Sequence, residues 1–154
     1  MNAAQGKLEP MAFDGPGPHE EHRLRLQQGI FEIQACRACS RSFFYPRAIC
    51  KFCGSADLAW KPPRSPATVY STTVVRRKPQ DGGDYNVAII ELQEGPRLMS
   101  RVEDMEPHKV HIGMAVEPRV RKHGDEPVLV FVAAGRPQDA AAAGQENHEG
   151  ESHE

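Results

Sequence analysis

Between Ala67 and Ala133 the chain contains five apolar runs with polar residues interleaved: Ala67–Arg77, Tyr85–Leu92, Arg97–Glu103, Met114–Lys122 and Pro127–Ala133. Alternation with a period of two over such lengths predicts β-strands that bury one face. The breaks are Asp81-Gly82-Gly83-Asp84, Glu94-Gly95-Pro96, the stretch 104–113 and His123-Gly124-Asp125, all rich in residues that accept tight or positive-φ turns. Five such strands predict a small barrel, whose closure hides sheet edges that would otherwise stay open.

Upstream the pattern changes. His19–Gln28 reads HEEHRLRLQQ, with acids before bases as a helix dipole favours, and Gly29 is a stop signal. Leu24 and Leu26 cannot both sit cleanly on one helix face, so the helix is short or docks through part of its surface. Ile30–Ala35 alternates Phe31, Ile33 and Ala35 with Glu32 and Gln34, which predicts a strand leading into the cysteines. Pro62, Pro63 and Pro66 then give a stiff connector over 62–66, dividing a helix-plus-metal unit at 19–61 from a β-domain at 67–136. Residues 1–18, with Gly15-Pro16-Gly17-Pro18, read as a flexible arm, and 137–154 as a disordered tail, because neither offers much apolar surface to bury.

Charge and composition narrow the setting. The formal net charge is −2 and the isoelectric point about 6.4, which gives the whole molecule no strong attraction for phosphate polymers. No run approaches the roughly 20 apolar residues that span a bilayer, and the N-terminus lacks the basic flank and apolar run of a secretory signal. The expectation is a soluble cytoplasmic protein with no membrane partner. In a reducing compartment, paired thiols are metal ligands more often than disulfides.

All four cysteines fall in one 18-residue window, Cys36-x2-Cys39-x10-Cys50-x2-Cys53. Two residues between paired thiolates let a knuckle point both sulfurs inward, and two knuckles complete a tetrahedral site. Such a site has no open position for water, so one structural Zn²⁺ per chain is expected. Iron, an iron–sulfur centre and dithiol exchange are the alternatives that thiolates allow. Gly54 suits the turn of the second knuckle, and Ser40 holds the equivalent place in the first. Phe43, Phe44, Tyr45 and Phe52 are available to cover a unit too small for its own core.

Other candidates are weaker. His108 and His111 are spaced to approach one ion, but Glu106-Pro107 and Gly113 mark that stretch as a loop. Arg76, Arg77 and Lys78 read as a solvated strand end, and Glu91, Glu94, Glu103 and Asp104 as a hydrated rim. No nucleotide-binding or nucleophile-elbow motif occurs.

Taken in order, the helix, CRACSRSFFYPRAICKFCGS, VYSTTVVRR, VAIIELQEGPRLMSRV, IGMAVEPRV and VLVFVAA resemble the bacterial and archaeal family that joins a rubredoxin-like zinc ribbon to an OB-fold. The resemblance covers about residues 19–134 and implies a mainly β protein with an N-terminal helix, a ribbon and a five-stranded OB-fold barrel. It implies a noncatalytic accessory subunit of a thiolase-like enzyme, such as a thiolase, acyl-CoA synthase or aldolase, whose own residues perform the chemistry. Helix and ribbon would dock the partner, and the OB-fold would lie near the acyl-CoA, with no particular residue assigned to CoA. Cys36, Cys39, Cys50 and Cys53 map onto the family's zinc ligands. The alternative from another class is an OB-fold that binds single-stranded nucleic acid, against which stand the acidic isoelectric point and the presence of only Tyr70, Tyr85 and Phe131 as aromatics after the connector. A stand-alone enzyme has no activated nucleophile or open metal site to point to.

Overall fold

The computed structural model describes residues 15–135, so nearly all of the expected N-terminal arm and the whole expected tail lie outside the described residues. Helix α1, Pro18–Gln27, opens one residue earlier than expected, with Pro18 at its first position, where the missing N–H costs nothing. Gly29, at φ +77°, ends it and lets the Ile30 N–H fold back on the Arg25 carbonyl at 2.9 Å. His22 and Leu26, four residues apart on one face, are the buried helix residues, while Leu24 stays 38% exposed.

Three short strands form the ribbon: β1 (Ile33–Cys36), β2 (Ser42–Phe43) and β3 (Leu58–Lys61), with β1 central and both neighbours antiparallel. The strand expected from Ile30 begins only at Ile33. Gln34 is also not the outward residue its polarity suggested. It is buried, and its amide clamps the backbone of Arg47, donating to the carbonyl at 3.0 Å and accepting from the N–H at 2.7 Å.

The second sheet contains β4 (Ala67–Val75), β5 (Tyr85–Glu91), β6 (Arg97–Ser100), β7 (Val102–Glu103), β8 (Ala115–His123) and β9 (Glu126–Ala133), in the order β6-β5-β4-β8-β9-β7. All five expected runs are strands, but the third is two. β6 pairs antiparallel with β5, and after Arg101 the chain switches to β9 and pairs with it in parallel as β7. The two ends of the sheet are thus consecutive pieces of one segment, and no continuous ladder joins them. Asn86 explains how the switch is tolerated. Its buried amide donates to the Val102 carbonyl at 2.6 Å and accepts the Val102 N–H at 2.8 Å, serving backbone groups that β5 cannot reach.

One apolar core unites the parts. Val69, Ile90, Leu98, Val102, Val116 and Phe131 come from the larger sheet and Leu92 from the residue just after β5, and Leu26, Phe31 and Ile33 join them from the helix and the root of the ribbon. Phe31 meets Phe131 edge to face, with ring centres 6.5 Å apart. A second, much smaller cluster holds Cys36, Phe43 and Cys50, with Cys39 and Leu58 packed against it.

Candidate metal centre and its surroundings

The sulfurs of Cys36, Cys39, Cys50 and Cys53 all lie within 4.8 Å of one another and form no disulfide. Cys36 and Cys53 are 3.6 Å apart, Cys39 and Cys50 3.7 Å. A tetrahedral zinc with Zn–S bonds of roughly 2.3 Å would space its sulfurs by about 3.8 Å. Donor type, number and spacing therefore fit a structural zinc ion.

The two halves of the site are built alike. The Cys36 N–H donates to the Arg41 carbonyl at 2.9 Å and the Cys50 N–H to the Ser55 carbonyl at 2.8 Å. In each knuckle the fifth residue folds back, Ser40 N–H onto Cys36 O and Gly54 N–H onto Cys50 O, both at 2.9 Å. This turn demands the left-handed region: Gly54 has φ +75° and Ser40 φ +59°. The serine thus occupies a conformation glycine would hold with less strain.

Crowding of the sulfurs and the nearby backbone N–H groups move two of the thiols in opposite directions. Burial pushes the Cys50 thiol up, but backbone N–H groups of Phe52 and Cys53 and the neighbouring sulfurs outweigh this and bring it down to about 7. For Cys53 the N–H of Ser55 favours the thiolate, yet burial and three adjacent sulfurs carry it up to about 12. The ligand set thus suits a bound divalent cation, which would stabilise thiolates at all four positions.

The aromatic cover differs from expectation. Phe43 is buried against the cysteines, and Phe52 leans edge-on against it at 6.4 Å while remaining 44% exposed. Phe44 turns toward the larger core and the ring of His22, 5.4 Å away, and Tyr45 is 55% exposed. Phe44 and Tyr45 follow the end of β2 at Phe43, and Phe44 packs where the ribbon meets the helix.

The weaker candidates do not assemble a second centre. His108 Nε2 meets Asp84 Oδ2 at 3.0 Å, whereas His111 Nδ1 faces the Lys109 carbonyl at 3.2 Å. Asp84 also receives the Arg77 N–H at 2.9 Å and faces Arg76 at 3.7 Å, which ties the basic cluster into a turn. Of the acidic residues read as a hydrated rim, Glu94 is 5% exposed in its side chain and Glu103 18%. Glu94 accepts from Arg64, and Glu103 pairs with Arg101 and with Arg121 at 2.9 Å. Sequence reasoning also missed His22, buried among Phe31, Phe44 and Trp60, because nothing local distinguishes it from the other polar residues of the helix.

Fold and site together define a zinc-ribbon protein with a C-terminal OB-fold. Residues 21–59 match the ChsH2 rubredoxin-like zinc ribbon domain and residues 60–121 the ChsH2 C-terminal OB-fold domain. A DUF35 domain-containing scaffold protein of Methanocaldococcus jannaschii is 33% identical over 103 residues, 62% of this chain and 73% of the relative. The chain belongs to this DUF35 family of zinc-ribbon and OB-fold proteins. A probable enoyl-CoA hydratase alpha subunit of Thermomonospora curvata is 36% identical over 86 residues, which are 54% of this chain but only 27% of that protein. Among solved structures, a chain of the Ltp2-ChsH2(DUF35) aldolase superposes with a TM-score of 0.66 at 28% identity, covering 80% of this chain and 99% of the other. Among the described residues no helix is long and apolar enough to cross a membrane.

Proposed function

We propose that this protein is a noncatalytic accessory subunit of a thiolase-like enzyme acting on an acyl-CoA. The observation that carries the reading is its likeness, over nearly the full length of that chain, to a chain of the Ltp2-ChsH2(DUF35) aldolase. In this reading Cys36, Cys39, Cys50 and Cys53 bind one structural zinc ion, which stabilises the ribbon. Such sites in small peptides are worth about 10–16 kcal/mol apparent at neutral pH. The OB-fold, fixed to the ribbon through the shared core around Phe31 and Phe131, lies beside the acyl-CoA held by the partner. The reacting groups belong to the partner, since a zinc held by four thiolates has no vacant coordination position for substrate. In this reading the protein works in the cytoplasm.

The test is affinity copurification from native cell extract with the bound proteins identified and zinc measured on the same sample. A near-stoichiometric enzyme of acyl-CoA carbon–carbon bond chemistry, with one zinc per chain, is the expected result. Zinc without such a partner, together with binding of oligothymidylate at low salt, would instead support the nucleic-acid reading.

A further inference from the structure

Residues 36–53 contain Arg37, Arg41, Arg47 and Lys51 and no Asp or Glu, on a chain whose net charge is −2. Four thiolates around one Zn²⁺ carry a formal charge of about −2, so part of this excess balances the metal site. Arg41 and Lys51 are placed for something more. Their charged groups lie 4.9 and 5.0 Å from the centre of the Phe52 ring, and with Lys61 of β3 they line a cleft of about 430 Å³. The Glu94-Gly95-Pro96 turn between β5 and β6 lines the same cleft. Its one carboxylate does not neutralise the three cations: Glu94 accepts both the Arg64 N–H at 2.8 Å and the Arg64 Nε at 3.2 Å. Among the described residues Arg41, Lys51 and Lys61 form no ion pair.

Lys51 and Phe52 also wall a second cleft of about 680 Å³, continued by Pro46 and Ile49. Ile49 is 54% exposed and Phe52 44%, large values for apolar side chains on one small lobe. A cationic trough and an apolar shelf therefore share one ridge. A small anion would use the first and leave the second bare, whereas a polypeptide can fill both.

We propose that this ridge seats a protein partner, and that the segment it receives is acidic with apolar side chains beside its carboxylates. The inference rests on the accessory-subunit reading and deepens it by stating where the enzyme docks and with what chemistry. Carboxylates of the partner pair with Arg41, Lys51 and Lys61 across the trough, and its apolar side chains cover Phe52 and Ile49. Attraction of this kind chiefly speeds association and weakens as salt rises.

The experiment compares the full chain with the charge reversal R41E/K51E/K61E and the milder K51Q/K61Q, each checked for one zinc per chain and an unchanged thermal midpoint. In copurification the reversal is expected to reduce recovery of the enzyme at least tenfold and K51Q/K61Q several-fold. Equal recovery by all three proteins overturns the proposal while leaving the accessory role intact. If the unaltered chain recovers no enzyme, the accessory reading fails, and a direct titration then decides the surface. An acidic-apolar peptide, acetyl-EELEEFEE-amide, is added to the ¹⁵N-labelled chain. Saturable shifts confined to residues around Arg41, Lys51, Phe52 and Lys61, and lost in the reversal, support the surface. No shift at millimolar peptide, or tighter binding of inorganic phosphate at the same residues, overturns it.

Discussion

His22 of the helix lies stacked on Trp60 of the third ribbon strand, ring centres 5.9 Å apart and planes 12° from parallel. The contact locks the helix to the ribbon from one side, while Arg25, one turn further on, covers the same indole at 5.0 Å and pairs with Glu21 and Glu32. Burial is the main cause that holds the His22 imidazole below its ordinary pKa, helped by the nearby charges of His19 and Arg25. A histidine lowered in the folded state contributes its stability above the unfolded value and loses it as pH falls through the folded one.

Trp60 is the only tryptophan, so its emission reports on this junction. Acid titration is expected to change it with a midpoint below the ordinary histidine value of about 6.5. The transition should be absent in His22→Phe, which keeps the aromatic packing. A transition of the same midpoint in that variant would assign it to another group.

The two knuckles make opposite predictions from equivalent positions. Ser40→Gly relieves a left-handed residue and is expected to stabilise the ribbon by about 0.5–1 kcal/mol, net of glycine's greater freedom when unfolded. Gly54→Ala places a Cβ at φ +75° and is expected to destabilise by about 1 kcal/mol. Chemical denaturation of the zinc-loaded proteins would check both signs.

Phe31 and Phe131 bind the ribbon root to the larger sheet. Phe31→Ala is expected to cost about 3–5 kcal/mol. Because both rings lie in one core, amide exchange should speed up in β9 as well as in β1. Loosening confined to the helix and ribbon would show that the two lobes are energetically separate.

Metal removal should act more locally. The cluster around Cys36, Phe43 and Cys50 is small and distinct from the larger core. Chelation is therefore expected to broaden amide signals across about residues 36–58 and to leave those of Val69, Ile90 and Val116 in place. Loss of the whole spectrum would contradict this division.

Much of this was legible because it is written in short-range pattern. The helix lies within one residue of its expected bounds, each of the five β-runs forms strand, the third in two pieces, and the four cysteine sulfurs gather in one place. What escaped depends on partners far away in sequence. Arg101 looks like any strand residue until Phe131 donates its N–H to the Arg101 carbonyl at 2.9 Å and draws the following strand across to β9. Polarity alone places Gln34 and Glu94 at the surface. The Arg47 backbone, 13 residues on, pairs with the Gln34 amide, and Arg64, 30 residues back, pairs with one carboxylate oxygen of Glu94. The exposure of Tyr45 beside the inward-facing Phe44 follows from how the ribbon meets the helix, which no window of sequence contains.

The accessory role proposed for this chain requires that its partner enzyme depend on it. Its most direct test is reconstitution of the copurifying enzyme with and without the zinc-loaded chain, following turnover of the acyl-CoA substrate. The chain alone is expected to show no turnover, and the enzyme to lose activity or stability when the chain is withheld and regain it on addition. Full activity and stability of the enzyme without the chain, or turnover by the chain alone, would contradict it.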